Sequence, residues 1–241
     1  MIGRLFETPT WEQVDLSETL FEDCRFTGGA LGGATLIGAK FINCRLIRCA
    51  FTHADLREAV FSNCILADPS TQTGVNFGFA RLDEVRFERC DLTHARFDGA
   101  DLYAADFRDC QMLGARFARA RFHRAFGKTV DRTALSLQRC NLELAELSRA
   151  RLAGCDLTGC RLRETDLTGA DLEGAILTDC DLFQALIDGT RLAGADLRGA
   201  EVSGLDLRRL ATYRDLKIAA DQQFRLLDAM GIDVHTEPSV T

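Results

Sequence analysis

The sequence predicts an all-β solenoid with a four-sided coil, and three observations support this fold class. A large apolar residue, most often Leu or Phe, recurs at every fifth position over long stretches of the chain. A small residue, usually Ala or Cys, lies two positions before it. A period of five matches neither the 3.6-residue period of a helix nor the two-residue period of a strand. Each repeat must therefore turn the chain, and four repeats close one coil of about twenty residues.

The repeats are predicted to occupy residues 14–209, after a lead-in at residues 1–13. The large apolar positions run from Leu16 to Leu66, from Phe77 to Phe122 and from Leu137 to Leu207. One repeat cannot bury its two inward residues alone, whereas coils stacked about 4.8 Å apart by backbone hydrogen bonds form one continuous core. The other three residues of each repeat face solvent, and they are mostly Asp, Arg, Thr, Ser, Gly and Glu.

The cysteines all fall on the small inward position. Because free cysteine behaves as a small, usually buried hydrophobe, we predict that these side chains pack in the core. No C-x-x-C pair occurs, and the four histidines share no metal-type spacing. We therefore expect no metal, no cofactor and no disulfide. The ten positions are Cys24, Cys44, Cys49, Cys64, Cys90, Cys110, Cys140, Cys155, Cys160 and Cys180.

The aspartates that directly precede a central residue, such as Asp55, Asp101, Asp166 and Asp196, offer a second candidate chemistry. A carboxylate at that position can accept hydrogen bonds from backbone N–H groups at the corner of the coil, as Asx side chains do in turns. Most of them are thus expected to be structural, and no glycine-rich phosphate loop is present. We expect a binding surface with no catalytic residues, and hence not an enzyme.

Two segments interrupt the period, at residues 67–76 and 124–134. In the first, Phe77 comes eleven positions after Leu66, where ten would keep the phase. In the second, Gly127 and Arg132 stand where large apolar residues are expected, so at least two sides of the coil should be remodelled. Loops on a rigid scaffold commonly carry binding, and the alternative is a pair of harmless insertions. The candidate partner-binding residues are Asp68, Gln72, Gly74, Phe126, Lys128 and Arg132.

The last segment, residues 210–241, is predicted to cap the solenoid. Residues 215–231 have the pattern of an amphipathic helix that ends at Gly231. An open coil end exposes apolar core and unpaired strand edges, so something must cover it. The apolar surface here exceeds the need of one coil end, which favours a homodimer over capping alone. The candidate dimerisation residues are Leu216, Phe224, Leu227, Met230 and Ile232.

The A-D-L triplets identify a family resemblance. They occur at residues 54–56, 100–102, 170–172 and 195–197. This pattern resembles the signature of the pentapeptide-repeat family over about residues 14 to 209. The resemblance implies a right-handed quadrilateral β-helix, here with two loop interruptions and a short C-terminal α-helix.

A narrower resemblance is to the Qnr-type quinolone-resistance proteins within that family. The second interruption falls where those proteins have their second loop, and residues 222–234 are similar to their C-terminal dimer module. The resemblance implies a dimeric rod that binds DNA gyrase and topoisomerase IV, imitates duplex DNA and relieves fluoroquinolone poisoning. The residues that carry it around the first loop are Phe61, Ser62, Asn63, Cys64, Asp68, Gln72, Gly74, Asn76, Phe77, Ala80, Leu82, Phe87, Cys90, Asp91 and Leu92.

The charge and hydropathy of the chain restrict its partners. A formal net charge of −7 argues against direct nucleic-acid binding, which needs clustered Lys and Arg. Because many outward positions hold Arg, imitation of DNA would require one acidic face, which the sequence does not locate. No apolar run approaches the length of a membrane helix, and the N-terminus lacks an apolar core of signal-peptide length. We therefore expect a cytoplasmic protein without membrane contact.

Two other functions remain open from the sequence. One is a general protein-interaction scaffold unrelated to topoisomerases. The other is self-protection against a natural topoisomerase toxin such as albicidin. Both would use the same solenoid, and neither requires the loops to resemble those of the Qnr-type proteins.

The two inward positions should differ in their sensitivity to substitution. Leu172→Ala is expected to lower the free energy of unfolding by about 2–5 kcal/mol, because a tightly packed column does not collapse around the void. Cys155→Ala should cost far less, since Ala fills the same position in other repeats. Urea denaturation of both variants measures the difference, and equal losses would contradict the assignment of the two positions.

Overall fold

The computed structural model describes residues 1–126 and 130–234, which form a stack of four-sided coils closed at its C-terminal end by a short helix. The strands are β1 (Leu5–Glu7), β2 (Leu20–Glu22), β3 (Arg25–Thr27), β4 (Lys40–Ile42), β5 (Arg45–Ile47), β6 (Val60–Ser62), β7 (Ala67–Asp68), β8 (Thr73–Gly74), β9 (Arg86–Glu88), β10 (Ala105–Arg108), β11 (His123–Phe126), β12 (Val130–Thr133) and β13 (Leu135–Gln138). Two 3-10 helices, Leu207–Arg209 and Ala220–Gln222, precede and adjoin the helix α1 (Gln223–Ala229).

The four sides of the coil are defined by the backbone ladders. In the second coil, side 1 comprises residues 20–23, side 2 residues 25–28, side 3 residues 30–33 and side 4 residues 35–38. On side 1, a parallel sheet runs in the order β2-β4-β6-β9-β10-β13, and on side 2 β1, β3 and β5 pair in parallel. Sides 3 and 4 are held by single parallel bridges, for example Ala30↔Ala50 and Asp55↔Arg81. The strand-rich, parallel architecture agrees with the predicted β-solenoid.

The large inward residues form columns along the axis. On side 1 the rings of Phe21, Phe41 and Phe61 stack with centroid separations of 4.8 and 4.6 Å. Each ring also meets a ring on a neighbouring side edge to face, as Phe41 and Phe51 do at 6.2 Å. Both geometries are favourable for aromatic pairs. Before the second interruption the central residues are a mixture of Phe and Leu, and from Leu137 onward the described ones are aliphatic until Tyr213.

The cysteines form a ladder. Eight of the ten occupy the small position before side 2, from Cys24 to Cys180, and all ten are buried and free. A thiol in this column donates to the carbonyl of the central residue on side 1 one coil earlier, as Cys160 does to Leu137 at 2.9 Å and Cys180 to Leu157 at 3.0 Å. Burial raises the pKa of Cys155, which lies outside the column, to about 12. The thiols thus act as packing and hydrogen-bonding groups.

The segment predicted as a lead-in is the first coil of the solenoid. Strand β1 pairs with β3, and Thr10 bridges Ala30. Phe6 and Trp11 stand in the phase of the central residues, and the Phe6 ring stacks on Phe26 at 4.8 Å. The period is hard to see here because Arg4 and Pro9 replace the small residue that precedes each central one.

Both interruptions are insertions at corners between consecutive sides. Ile65 bridges Asp91 on side 2, and Asn76 bridges Arg96 on side 3. Leu66 and Phe77 therefore lie on consecutive sides, where central residues are normally five positions apart. Their separation of eleven positions means that six residues are inserted at this corner. Strands β7 and β8 make this insertion an antiparallel hairpin. We call it the first hairpin.

The second interruption remodels no side of the coil, contrary to the sequence-based expectation. Phe122 lies on side 4 and Leu137 pairs with Phe107 on side 1, so their fifteen-residue separation adds ten residues to one step. Strands β11 and β12 pair antiparallel from His123↔Thr133 to Phe126↔Val130. This second hairpin leaves the corner between sides 4 and 1, diagonally opposite the first hairpin.

The C-terminal segment completes more of the coil than predicted. Arg191 bridges Thr212 and Asp196 bridges Lys217, so side-to-side stacking continues past residue 209. The helix predicted over 215–231 is therefore too long, because residues 212–217 still follow the coil and α1 spans only Gln223–Ala229. Gly231 follows this helix with φ of 75°, the left-handed conformation expected after a helix end.

A buried glutamine closes the last coil. The Gln222 amide donates to the carbonyls of Leu197 and Ala200, both at 2.7 Å, and its oxygen accepts from Ala219 N–H at 2.6 Å. Leu226, 3% exposed, covers the apolar end beside it. Backbone groups that the next coil would have satisfied are thereby paired. Within residues 1–126 and 130–234, no helix is long and apolar enough to cross a bilayer.

Candidate functional site

Side 4 of the first five coils is acidic. Its outward-facing stretches are residues 15–18, 35–38, 55–58, 81–84 and 101–104, placed on one side by successive parallel bridges. They contain seven carboxylates against the two guanidinium groups of Arg57 and Arg81, a net charge of −5. The carboxylates are Asp15, Glu18, Asp55, Glu58, Asp83, Glu84 and Asp101. We call this surface the acidic side.

The concentration of charge is specific to this side and to these coils. Over the same coils, sides 1 and 2 each carry three acids and three bases, and side 3 carries two acids and one base. From residue 121 onward, side 4 holds five arginines against three acids. The acidic side therefore ends where the second hairpin begins.

The first set of carboxylates on the acidic side is held by arginines, as Asp55 shows. Asp55 accepts two hydrogen bonds of 2.8 Å from Arg57 and one of 3.2 Å from Arg81. Partial burial acts to raise the pKa of Asp55, but the hydrogen bonds and charge of Arg57, with the charge of Arg81, outweigh it and leave the pKa below its ordinary value. The carboxylate therefore stays ionised at neutral pH.

A second set of carboxylates is presented to solvent. Glu18, Glu58 and Glu84 occupy the corner position with φ of 56°, 60° and 59°, and all three are exposed. Among the described residues, none of these three glutamates forms an ion pair with a basic side chain. They stand at the same corner of the first, third and fourth coils, on the edge of the acidic side from which the second hairpin also leaves.

The second hairpin is fastened to the acidic side by Arg124. The Arg124 guanidinium forms an ion pair with Asp83, which is buried, and lies 4.7 Å from the ring centre of Tyr103. The Ala104 N–H donates to Ala134 O at 2.6 Å at the other strand of the hairpin base. These contacts fix the point where the hairpin leaves the coil.

The predicted contact residues of the second hairpin lie at different heights. In the antiparallel strand register, Arg132 is opposite Arg124 near the base of the hairpin. Phe126 is opposite Val130 at the far end of the paired strands. Lys128 lies outside the described residues. The structure therefore brings the predicted Phe126 and Arg132 onto one projection beside the acidic side, an arrangement that sequence spacing did not reveal.

The first hairpin holds two of the predicted site residues in structural roles. Asp68 is 5% exposed, pairs with Arg48 at 3.0 Å and accepts from Ser70 N–H at 3.0 Å and Ser70 Oγ at 2.6 Å. The hydrogen bond from the Ser70 side chain lowers the pKa of Asp68. A Cβ on Gly74 would collide with the backbone of His94 and Ala95, so glycine permits the hairpin to lie against the coil. Gln72 is exposed in the turn with φ of 51°.

The predicted dimerisation residues divide by exposure. Phe224 and Ile232 are 44% and 46% exposed, whereas Leu227 and Met230 are half-buried and Leu216 packs partly against the core. Sequence reasoning missed Tyr213, Ile218 and Val234, which are exposed in the same C-terminal segment. The signal for the first two was present, because they stand at central positions of the last partial coil, which no further coil covers.

The attachment of the second hairpin predicts a local effect of Asp83→Asn. Loss of the charge should leave Arg124 without its buried partner, lower the free energy of unfolding by about 1–2 kcal/mol and loosen the hairpin base. Limited trypsin digestion should then cut faster within residues 124–132.

Asp181→Asn is the matched control, since Asp181 pairs with Arg163 at 3.0 Å in coils that carry no hairpin. This control should leave the trypsin rate unchanged. Equal digestion rates for the wild-type protein and Asp83→Asn would show that Arg124 does not hold the hairpin.

Comparison with known proteins places the chain in a family. The Pentapeptide repeats model matches eight copies, at residues 31–68, 73–109, 95–126, 145–182 and 175–209. A comparison with curated proteins finds no match.

Solved structures of QnrB1, a plasmid-mediated fluoroquinolone resistance protein, are similar to this chain. Two trypsin-treated variants are each 26% identical to it, with TM-scores of 0.77 and 0.72. The first similarity covers 92% of this chain and 99% of the other, and the second covers 94% and 100%. Full-length QnrB1, at 24% identity and a TM-score of 0.67, matches 96% of this chain and 99% of its own. Since the repeat model spans more than half of the chain, this protein belongs to the pentapeptide-repeat family.

Proposed function

We propose that this protein binds DNA gyrase, topoisomerase IV or both, and protects them from fluoroquinolone-type poisons by occupying a surface that otherwise holds duplex DNA. The likeness to QnrB1 over nearly the whole length of both chains supports this function. The single observation that carries it is the acidic side, a set of carboxylates on the same side of four of the first five coils.

The charge spacing of the acidic side suits imitation of DNA. Five coils at about 4.8 Å each extend about 24 Å, so seven carboxylates give about one per 3.4 Å. One strand of B-DNA carries one phosphate per roughly 3.4 Å. Arg57 and Arg81 reduce the net density to about one charge per 4.8 Å, and the ion pairs of Asp101 with Arg121 and of Asp83 with Arg124 reduce it further. Negative charge still prevails along this side, as a Lys- and Arg-lined DNA site requires.

The second hairpin supplies what the acidic side lacks. Phe126 and Arg132 belong to the aromatic and Arg types that dominate interface energetics, and Lys128 is a third candidate contact beside them. The hairpin leaves the corner that borders the acidic side, so one partner can contact both. The first hairpin has fewer anchors, and its Asp68 is already occupied by Arg48 and Ser70.

The proposed mode of action requires no reaction on this protein. It acts as a binding surface in the cytoplasm, with a right-handed coil as the resemblance implies, and it does not itself hold nucleic acid. Its layout is the solenoid with two hairpins and a C-terminal capping module. Binding of this protein to a Lys- and Arg-lined DNA site on the topoisomerase is sufficient to explain protection from the poison.

A supercoiling assay with purified gyrase and ciprofloxacin tests the function. The wild-type protein should restore supercoiling, and duplex DNA should compete with it for gyrase. A variant that lacks residues 125–134 restores the five-residue step from Phe122 to Leu137, so it should fold with a similar melting temperature but need about tenfold more protein to protect.

Intact protection by this stably folded variant would move the contact to a side of the coil. No protection by the wild-type protein with either gyrase or topoisomerase IV would reject the proposed function and favour a scaffold role.

The proposal includes a homodimer through the C-terminal module. Tyr213, Ile218, Phe224, Ile232 and Val234 expose apolar surface within one short segment, and such surface marks interaction sites. Phe224→Asp should therefore convert a dimer to a monomer in sedimentation velocity at micromolar concentration. Leu186→Asp is the control, because Leu186 is similarly exposed, at 47%, on a side of the coil. A monomeric wild-type protein under these conditions would exclude the dimer.

A further inference from the structure

We propose that the exposed ring of Phe79, stacked on His53, is the anchor onto which a cationic side chain of the partner protein stacks when that partner binds the acidic side. The identity of the partner rests on the proposed function. The existence of the cation-binding ring does not, since it follows from the surface itself.

Phe79 occupies a position that is unfavourable for its side chain. Its φ is 57°, and it is the only Phe, Tyr or Trp with a left-handed backbone among residues 1–126 and 130–234. That conformation is costly for a bulky residue and nearly free for glycine. The corresponding corner is His53 in the preceding coil, with φ of 59°, and Gly99 in the following coil, with φ of 68°. The left-handed corner itself belongs to the fold, so the distinguishing feature of Phe79 is that it places a bulky ring there.

The core does not explain this residue. The Phe79 side chain is 54% exposed and makes its ring contact on the surface. The rings of Phe79 and His53 lie 5.3 Å apart with an interplanar angle of 9°, so His53 supports one face. On the next coil, a Cβ on Gly99 would approach the Phe79 ring within 2.6 Å. Gly99 therefore lies beside the second face of the ring but contributes no side chain that would cover it.

The position of the ring relative to the acidic side indicates the chemistry of the partner. Phe79 lies at the corner between sides 3 and 4, two residues before the stretch 81–84 that contains Asp83 and Glu84. A guanidinium or ammonium group over an aromatic face is attracted by the ring, and nearby carboxylates add to the attraction. Glu58 and Glu84 lie at the opposite edge of side 4, so a partner whose Lys and Arg side chains span this side would place one cation at Phe79.

The ring also adds selectivity. DNA phosphates attract any cationic surface, but they offer no aromatic face for a cation to stack on. An anchor of this kind at the edge of an acidic surface is typical of an interface hot spot, where one aromatic residue supplies much of the binding energy. The surface therefore fits an arginine-bearing, DNA-binding face of a protein.

Phe79→Asn tests the inference, with Leu144→Asn as the matched control. Leu144 is 52% exposed and also has a left-handed backbone, with φ of 59°, but it lies on side 2. Asn tolerates this conformation better than Phe or Leu, so both variants should melt at or above the wild-type temperature. Binding of a fluorescent nona-arginine peptide, measured by anisotropy at low salt, should weaken about three- to tenfold in Phe79→Asn only.

The outcomes of these measurements test the Phe79 anchor and the proposed topoisomerase binding separately. Unchanged nona-arginine affinity in Phe79→Asn, equal weakening in both variants, or a clearly lower melting temperature of Phe79→Asn would overturn the inference. A ring-dependent affinity for nona-arginine together with parallel loss of gyrase protection supports both proposals. The same ring dependence in a wild-type protein that does not protect gyrase supports the anchor and rejects the topoisomerase as its partner.

Discussion

Each coil of this protein is joined to the next by parallel backbone hydrogen bonds, and this ladder requires nearly every coil to have the same length. A residue and the one twenty positions later then occupy equivalent places one layer apart. The Phe columns, the cysteine ladder and the corner residues with left-handed backbone all result from this requirement. Extra residues can leave the coil only at a corner, where both hairpins arise.

The same ladder converts scattered sequence positions into surfaces. Glu18, Glu58 and Glu84 are far apart in the chain, yet they form one column because intervening coils and the six-residue insertion place them at equivalent corners. The rod presents charge without the rearrangement that a flexible acidic tail would need. Arg124 joins the second hairpin to that surface through Asp83. A partner that contacts the hairpin is thus positioned on the acidic side.

The last coil differs from the others, because no further coil pairs with its backbone groups or covers its core. Gln222 replaces part of the missing coil by bonding two carbonyls, and Leu226 covers the core. Tyr213 and Ile218 remain exposed at central positions for the same reason. The C-terminal module therefore both satisfies the backbone and presents apolar surface, which is the basis of the proposed dimer.

The sequence by itself determined the β-solenoid, the inward positions and the burial of the cysteines. In every regular five-residue repeat, the large and the small apolar residue point into the coil and the other three residues face solvent. It also predicted where the hairpins would interrupt the period. It did not show that Leu66 and Phe77, or Phe122 and Leu137, lie on consecutive sides, since the length of an insertion can be divided between loop and coil in several ways. That division, decided by backbone pairing in three dimensions, assigns every later residue to its side. Only the tertiary structure could therefore reveal the acidic side, the Phe79–His53 ring pair and the structural roles of Asp68 and Gly74.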